Sequence, residues 1–436
     1  MMQRTLNTFE EMVSILGEGT VTDRAKEAFS HFHSMTIQAE DWSTLASILR
    51  RVGVKESTIE RAETWYEDMT KQPELVEALA FIRYVVIEAF HPSEWIVKQA
   101  PVLPKHPSMQ GPFLLCAVLY VAVVALKEHQ SRSIDPSHAS FNLRHLKGYI
   151  EAYEKSHPES VGVNLFTWCL YLGALGLIHL HTLHFMHHIY KDPYYAFRHK
   201  KTDNVVVLAG EGLAIRHDGQ LDGTGGAHDF WFTTQIDFTD EYYEGHYVHP
   251  LGGILPEKRR LDKQAYTLIL KPGDAVIDYH IPSGPGYTVE NMKTSFIAAQ
   301  AFFSKHYSEV YYRAFWCCSW LSSPQLPFLI SRPESHILQV AQQGYIVPAR
   351  GGPETLYEFV FKTKTPDFDT LTPKTSLEKH VIAHRQQGGQ INSGTILYFL
   401  SDLEHYGQSI YHHNINRQSF FKLAHGGLAK ALNERA

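Results

Sequence analysis

The sequence predicts an α+β protein: a helical N-terminal domain over residues 1–160, followed by a mixed α/β sheet domain over residues 161–436. Apolar residues recur at helical spacing through the first part of the chain. After about residue 165, glycine, aromatic and β-branched residues rise and gather in short runs of strand length. Near the middle, a strand, a Gly/Pro loop, a helix and a second strand follow one another. That order is a βαβ crossover, whose strands are expected to run parallel.

The helical part is plainest over 74–90, where Leu75, Leu79, Ile82 and Val86 share a stripe with Phe81 and Val85 beside them. Pro73 suits the first turn, where no N–H is needed, and Pro92 closes the segment. A second helix is expected over 140–153, with Leu143, Leu146, Ile150 and Tyr153 on one stripe. The apolar run 113–126 is about 14 residues, short of the roughly 20 that span a bilayer. It is expected to be a buried helix. The run 163–183 is longer, but Asn164, Thr167, His179 and His181 interrupt it. A buried helix leading into a strand is expected there, and no membrane contact.

In the second part, strands are expected over 205–208, 213–216, 266–270, 275–281 and 313–320. The stretch 218–226 is dense in turn residues. Thr288 is placed to cap a helix over 288–307, whose stripe is Val289, Met292, Phe296, Ala299 and Phe303. The loop Pro282, Ser283, Gly284, Pro285, Gly286 joins strand 275–281 to that helix. Free backbone N–H groups at a helix start favour an anion, so Ser283, Gly284, Gly286, Tyr287 and Thr288 are candidate ligand-binding residues. On the next strand, alternation puts Phe315, Cys317 and Ser319 on one face and Trp316, Cys318 and Trp320 on the other. Pro324 ends that run.

Composition excludes several classes. The 44% hydrophobic and 20% charged content is that of an ordinary globular protein, and the net charge of −6 gives no reason to expect nucleic-acid binding. Cys116, Cys169, Cys317 and Cys318 are too few and too scattered for a disulfide framework, so a reducing, cytoplasmic setting is expected. Glu10 and Glu11 stand near the start and no apolar segment follows, so no secretory leader is expected.

Several ordered blocks carry a resemblance. They are the turn 218–226, the strand Gly273-Asp-Ala-Val-Ile-Asp-Tyr-His-Ile-Pro282, the pair Phe302-Phe303 followed by Tyr307, the block Arg313-Ala-Phe-Trp-Cys-Cys-Ser-Trp-Leu321 with Pro324-Gln-Leu326, and Gly388-Gly389. Together they resemble a bacterial acyltransferase-domain family with a helical N-acyltransferase-type N-terminal domain and a GNAT-like C-terminal domain. The resemblance implies an acyl-CoA-dependent N-acyltransferase acting on a small-molecule amine, with acyl-CoA as co-substrate and no metal. It implies that the CoA pyrophosphate lies on the amides of the loop at Gly284 and Gly286. Ile281 stands where the family carries Gln or Arg, and Pro285 lacks a donor. The resemblance also places the base on the strand before the loop. Asp278 and His280 share a face there, and His280 is the better base, with a reference pKa of about 6.5. Cys317 or Ser319 would protonate the leaving thiolate. Cys317 could instead be a nucleophile with His280 as its base.

Other readings stay open at this stage. Cys317 could simply fill core volume, and the domain could be a catalytically inactive binding module. The histidines 179, 181, 184, 187 and 188 raise a metal-dependent hydrolase as a further alternative. On a helix His184 and His188 would share a face; on a strand they would oppose His179, His181 and His187.

Overall fold

The structure, a computed structural model, describes residues 5–89, 94–282, 284, 286–330, 332 and 334–413. Pro92, Ser283 and Pro285 lie outside the described residues. The chain divides into two units, Met1–His179 with Lys305–Tyr307, and Leu180–Ser304 with Ser308–Ala436.

The first unit is helical: α1 (Phe9–Leu16), α2 (Arg24–Ser34), α3 (Trp42–Arg51), α4 (Glu56–Thr70), α5 (Pro73–Arg83), α6 (Gln110–Ser131), α7 (Pro136–Ser156) and α8 (Phe166–Gly173). Side-chain caps set several starts. Thr8 and Glu11 form a reciprocal capping box on α1, and Asp135 accepts from Ser137 N at 2.8 Å to open α7. Pro73 sits in the first turn of α5, as expected. The helix expected to run on to residue 90 instead passes into a π-helical turn, Tyr84–Glu88. The consecutive β-branched residues Val85, Val86 and Ile87 crowd a regular α turn, and the wider turn relieves them.

The apolar run 113–126 is the buried part of α6, a helix of 22 residues. By length and composition alone α6 is long enough to cross a membrane, but 78% of its apolar window is buried inside the protein, as in a core helix. Gly111 in α6 is required by packing, because a Cβ there would collide with the Tyr153 hydroxyl and the Val161 carbonyl. The helix α8 packs on α6 and α7, so the first unit runs past residue 160.

The second unit continues with β1 (Ile178–Leu180), β2 (Leu183–Ile189), β3 (Tyr194–His199), β4 (Val205–Ala209), β5 (Ala214–Arg216), β6 (Phe230–Thr233), β7 (Ile236–Phe238), β8 (Tyr242–His249), β9 (Gly253–Asp262) and β10 (Tyr266–Leu270). Then come β11 (Ala275–His280), α9 (Val289–His306), β12 (Tyr312–Ser319), α10 (Leu326–Leu329), α11 (His336–Ala341), β13 (Tyr345–Pro348), α12 (Glu354–Phe361), α13 (Ser376–Gln386) and β14 (Gly394–Phe399). One sheet has the order β1-β2-β11-β12-β14-β13; a second runs β10-β3-β4-β8-β7 with β9 beside β8; β5 and β6 form a hairpin-sized third. As expected from the crossover, β11 and β12 are parallel, while β11 pairs antiparallel with β2.

The core of this unit lies under α9. Phe296 stacks on Phe315 at 4.0 Å and meets Phe185 and Tyr279 edge-on. Gly388 and Gly389 close α13, as expected. Gly388 has φ +79° and donates to the Arg385 carbonyl at 2.9 Å, while Gly389 donates to the His384 carbonyl at 2.9 Å.

Candidate active site

The site begins where a ladder stops. The parallel pairing of β11 with β12 ends at Asp278↔Trp316. Past that pair β11 remains paired with β2 as far as His280↔His184, and β12 with β14 as far as Ser319↔Gly394. The inner edges of β11 and β12 therefore part, each braced from its outer side. The gap faces the loop that leads into α9. Thr288 caps α9, its hydroxyl accepting from Asn291 N at 3.2 Å. Gly284 has φ +142°, a conformation few other residues adopt. Gly286 is pressed against Thr182, where an added Cβ would come within 3.1 Å of the threonine Cβ.

Register decides which groups meet. Asp278 lies beside Met186 on one side and Trp316 on the other, so Asp278, His280, Trp316 and Cys318 share one face of the sheet. His280 and Asp278 are brought together, with Nε2 and Oδ2 3.6 Å apart. Cys317 and Ser319 point to the opposite face, the one covered by α9. The expected partnership of His280 with Cys317 across a shared cleft is not formed.

The electrostatics of the open face follow from desolvation. Asp278 is 6% exposed, and burial raises its carboxyl well above the ordinary range. Burial lowers His280 to about 4, although 43% of its side chain is accessible. The side chain opens to solvent on the face of the sheet away from α9. The imidazole is neutral across neutral pH and can accept a proton. Cys318 stands exposed on the same face, with its thiol raised to about 11, chiefly by desolvation. Asp192, ahead of β3, accepts from Trp316 Nε1 at 2.7 Å, and burial raises its pKa against the pull of Trp316 and Thr395. His188 stacks on Trp316 at 4.8 Å and is lowered to about 4 by burial. Asp192 escaped the sequence reading because it sits in a connecting turn, and only tertiary packing brings it to β12.

On the covered face, Cys317 is 5% exposed and burial pushes its thiol well up. The phenols of Tyr279, Tyr287 and Tyr406 are its near neighbours or one another's. The histidine run does not converge. His184 and His188 lie on one face of β2 and His187 on the other, His181 sits in a turn at φ +57°, and His179 stacks on Phe141 in the first unit. Among the described residues no group of His, Cys, Asp or Glu is placed to hold a metal ion.

Comparison with curated proteins gives no match. Among solved structures, the fold resembles that of an acyltransferase in complex with decanoyl-CoA and teicoplanin, at 18% identity and TM-score 0.52, covering 90% of this chain and 99% of that one. It likewise resembles an acyltransferase in complex with decanoyl-CoA, at 17% identity and TM-score 0.52, covering 89% and 98%. A mutant acyltransferase in complex with octanoyl-CoA matches at 17% identity and TM-score 0.52, covering 90% and 99%. At these identities the likeness is one of fold. A family model matches residues 177–396, half of the chain, and so takes in both faces of the gap: the chain belongs to the family defined by the GNAT-like C-terminal domain.

Proposed function

We propose that the chain is an acyl-CoA-dependent N-acyltransferase that passes an acyl group directly from the thioester to a small-molecule amine across the gap between β11 and β12. The observation that carries this reading is the ladder ending at Asp278↔Trp316 beside a capped helix start. A parted strand pair gives an extended thioester two backbone edges to lie between. The amides of Gly284, Gly286 and Tyr287, with Ser283 as an expected contributor, would hold the pyrophosphate at the positive end of α9; the Thr288 amide, also expected there, instead donates to the Gly286 carbonyl at 3.0 Å.

Opposite faces suit a displacement at a carbonyl. The amine approaches from the open face, where neutral His280 takes its proton and Asp278, its carboxyl raised by burial, stands beside it. The sulfur leaves toward the covered face, where Cys317 and Ser319 stand as hydrogen-bond donors. Cys317 is buried as a thiol, and His187, the histidine of β2 on that face, lies at the other end of the strands against the Tyr312 hydroxyl at 3.0 Å, which favours direct transfer over a covalent acyl-cysteine. Acyl-CoA use suits a cytoplasmic site of action. Because structures of like fold hold octanoyl-CoA and decanoyl-CoA, those are the first donors to test.

Isothermal titration of the full chain with CoA, octanoyl-CoA and decanoyl-CoA tests the reading, followed by thiol release with a panel of amines. Absence of binding at about 1 mM ligand, a −4 kcal/mol limit, removes it. Binding without turnover on any amine would favour a module that keeps the fold without catalysis, a reading to which Ile281 in the loop lends support.

A further inference from the structure

A cavity of about 380 Å³ opens between α10, α11 and the start of α13, and no residue of the gap lines it. Its floor is apolar. Leu329 belongs to the buried core that these helices share, while Ile330, Ile337 and Leu377 pack against that core and also line the cavity. Local bonds fix the walls. Ile330 N donates to the Leu326 carbonyl at 2.9 Å to close α10. Ser335 N donates to the Arg332 carbonyl at 3.0 Å, which holds Arg332 and Glu334 on the same edge of the cavity. Thr375 and Glu378 form a reciprocal capping box that sets Ser376 and Leu377 at the start of α13. The rim charges are unusual. Arg332 and Glu334 are exposed, opposite in sign and two residues apart, yet among the described residues neither forms an ion pair with the other or with a third group. A lone anion or a lone cation in the cavity would meet one of these charges as a repulsion. A zwitterion meets both as attractions, and its apolar remainder has the floor to cover. At about 30 Å³ for each water-sized group, the cavity takes about a dozen non-hydrogen atoms, the size of phenylalanine.

We propose that this cavity binds a free α-amino acid with a large apolar side chain, its carboxylate on the Arg332 guanidinium and its ammonium on the Glu334 carboxylate. The side chain lies on Leu329, Ile337 and Leu377. His336 and the Ser376 hydroxyl line the same cavity and add hydrogen bonds to the carboxylate. The site is separate from the gap between β11 and β12, and it does not rest on the acyl-transfer reading.

The test is isothermal titration of the full chain with L-phenylalanine, 3-phenylpropionate, which lacks the ammonium, and 2-phenylethylamine, which lacks the carboxylate. L-Phenylalanine is expected to bind saturably and about fivefold or more tighter than either analogue. Arg332→Gln should weaken L-phenylalanine about fivefold and leave 2-phenylethylamine unchanged. Glu334→Gln should weaken L-phenylalanine by a like factor and leave 3-phenylpropionate unchanged. Both side chains are exposed, so neither change disturbs the core. No saturable binding of L-phenylalanine up to about 10 mM overturns the proposal. So do analogues that bind as well as the amino acid, which would mark a merely apolar cleft, and so do variants that bind L-phenylalanine like the wild type. If one variant does not fold, the other decides together with the analogue series.

Discussion

His129 should make the helical unit sensitive to mild acid. It is 6% exposed at the end of α6, with Nδ1 buried and without a partner among the described residues and the Leu175 carbonyl beside the ring. Burial lowers it to about 4, and His138, Arg132 and His306 add like charge nearby. Asp135 faces His138, which burial also lowers. In the unfolded chain His129 binds a proton near pH 6.5, whereas in the folded chain it does so only near 4. Between those values the unfolded state holds more protons, so stability rises with pH. The contribution is present in full above about pH 6.5 and lost as pH falls toward 4. Over the whole window the shift is worth about 3 kcal/mol, and from pH 7 to pH 5 about 2 kcal/mol. His129→Gln keeps a donor for the Leu175 carbonyl and removes the titration. Urea unfolding at pH 7 and pH 5 should therefore show the variant losing about 2 kcal/mol less than the wild type. Equal losses in the two proteins would refute the desolvation argument for this residue.

With His280 lowered to about 4, the acid limb of kcat in an amine-acylation assay should lie near 4; a limb near 6.5 would show that the surrounding protein does not desolvate this base. His280→Ala should lower kcat about a hundredfold with little change in the KM for acyl-CoA. Phe296→Ala removes the ring stacked 4.0 Å from Phe315 and should cost about 3–5 kcal/mol in denaturant unfolding; a loss below about 1 kcal/mol would show that α9 is not the main cover of the sheet. Gly286→Ala forces the loop off Thr182 and should weaken CoA binding about tenfold by calorimetry. Replacing Thr182 with glycine in the same protein should restore it; no recovery would mean that the loop senses something other than that contact.

Much of this architecture could be read from local pattern. The strand at 266–270, the parallel crossover, the Thr288 cap and the glycine end of α13 all follow from periodicity and turn chemistry, because each is decided by neighbours in the chain. So did the pairing of Asp278 with His280, two residues apart on one strand. The relation between the two strands was different. Ala275 opposes Tyr312, but Ile277 opposes Phe315, so β12 carries one residue more across that interval. Without this bulge Asp278 would have met Phe315 and shared a face with Cys317 and Ser319. The extra residue turns β12 over relative to β11 and separates the histidine from the cysteine. Nothing in the local sequence of 312–316 marks it, since Tyr, Arg, Ala, Phe and Trp all suit a regular strand. Asp192 was hidden for a related reason: a turn residue acquires meaning only from what folds against it.

The clasp that starts the ladder between β2 and β11 carries a consequence for how the gene can change. Gly273, at φ +95°, donates to the Tyr190 carbonyl at 2.9 Å, and Tyr190 donates back to Asp274 at 2.8 Å. Those two bonds start the count from which every pair up to His280↔His184 is dealt out. Lengthening or shortening the chain by a single residue between this clasp and His280 would turn the strand inside out, burying the imidazole under α9 and lifting Tyr279 onto the open face. Length variation in this family should therefore collect beyond the clasp, and spare the short run it governs.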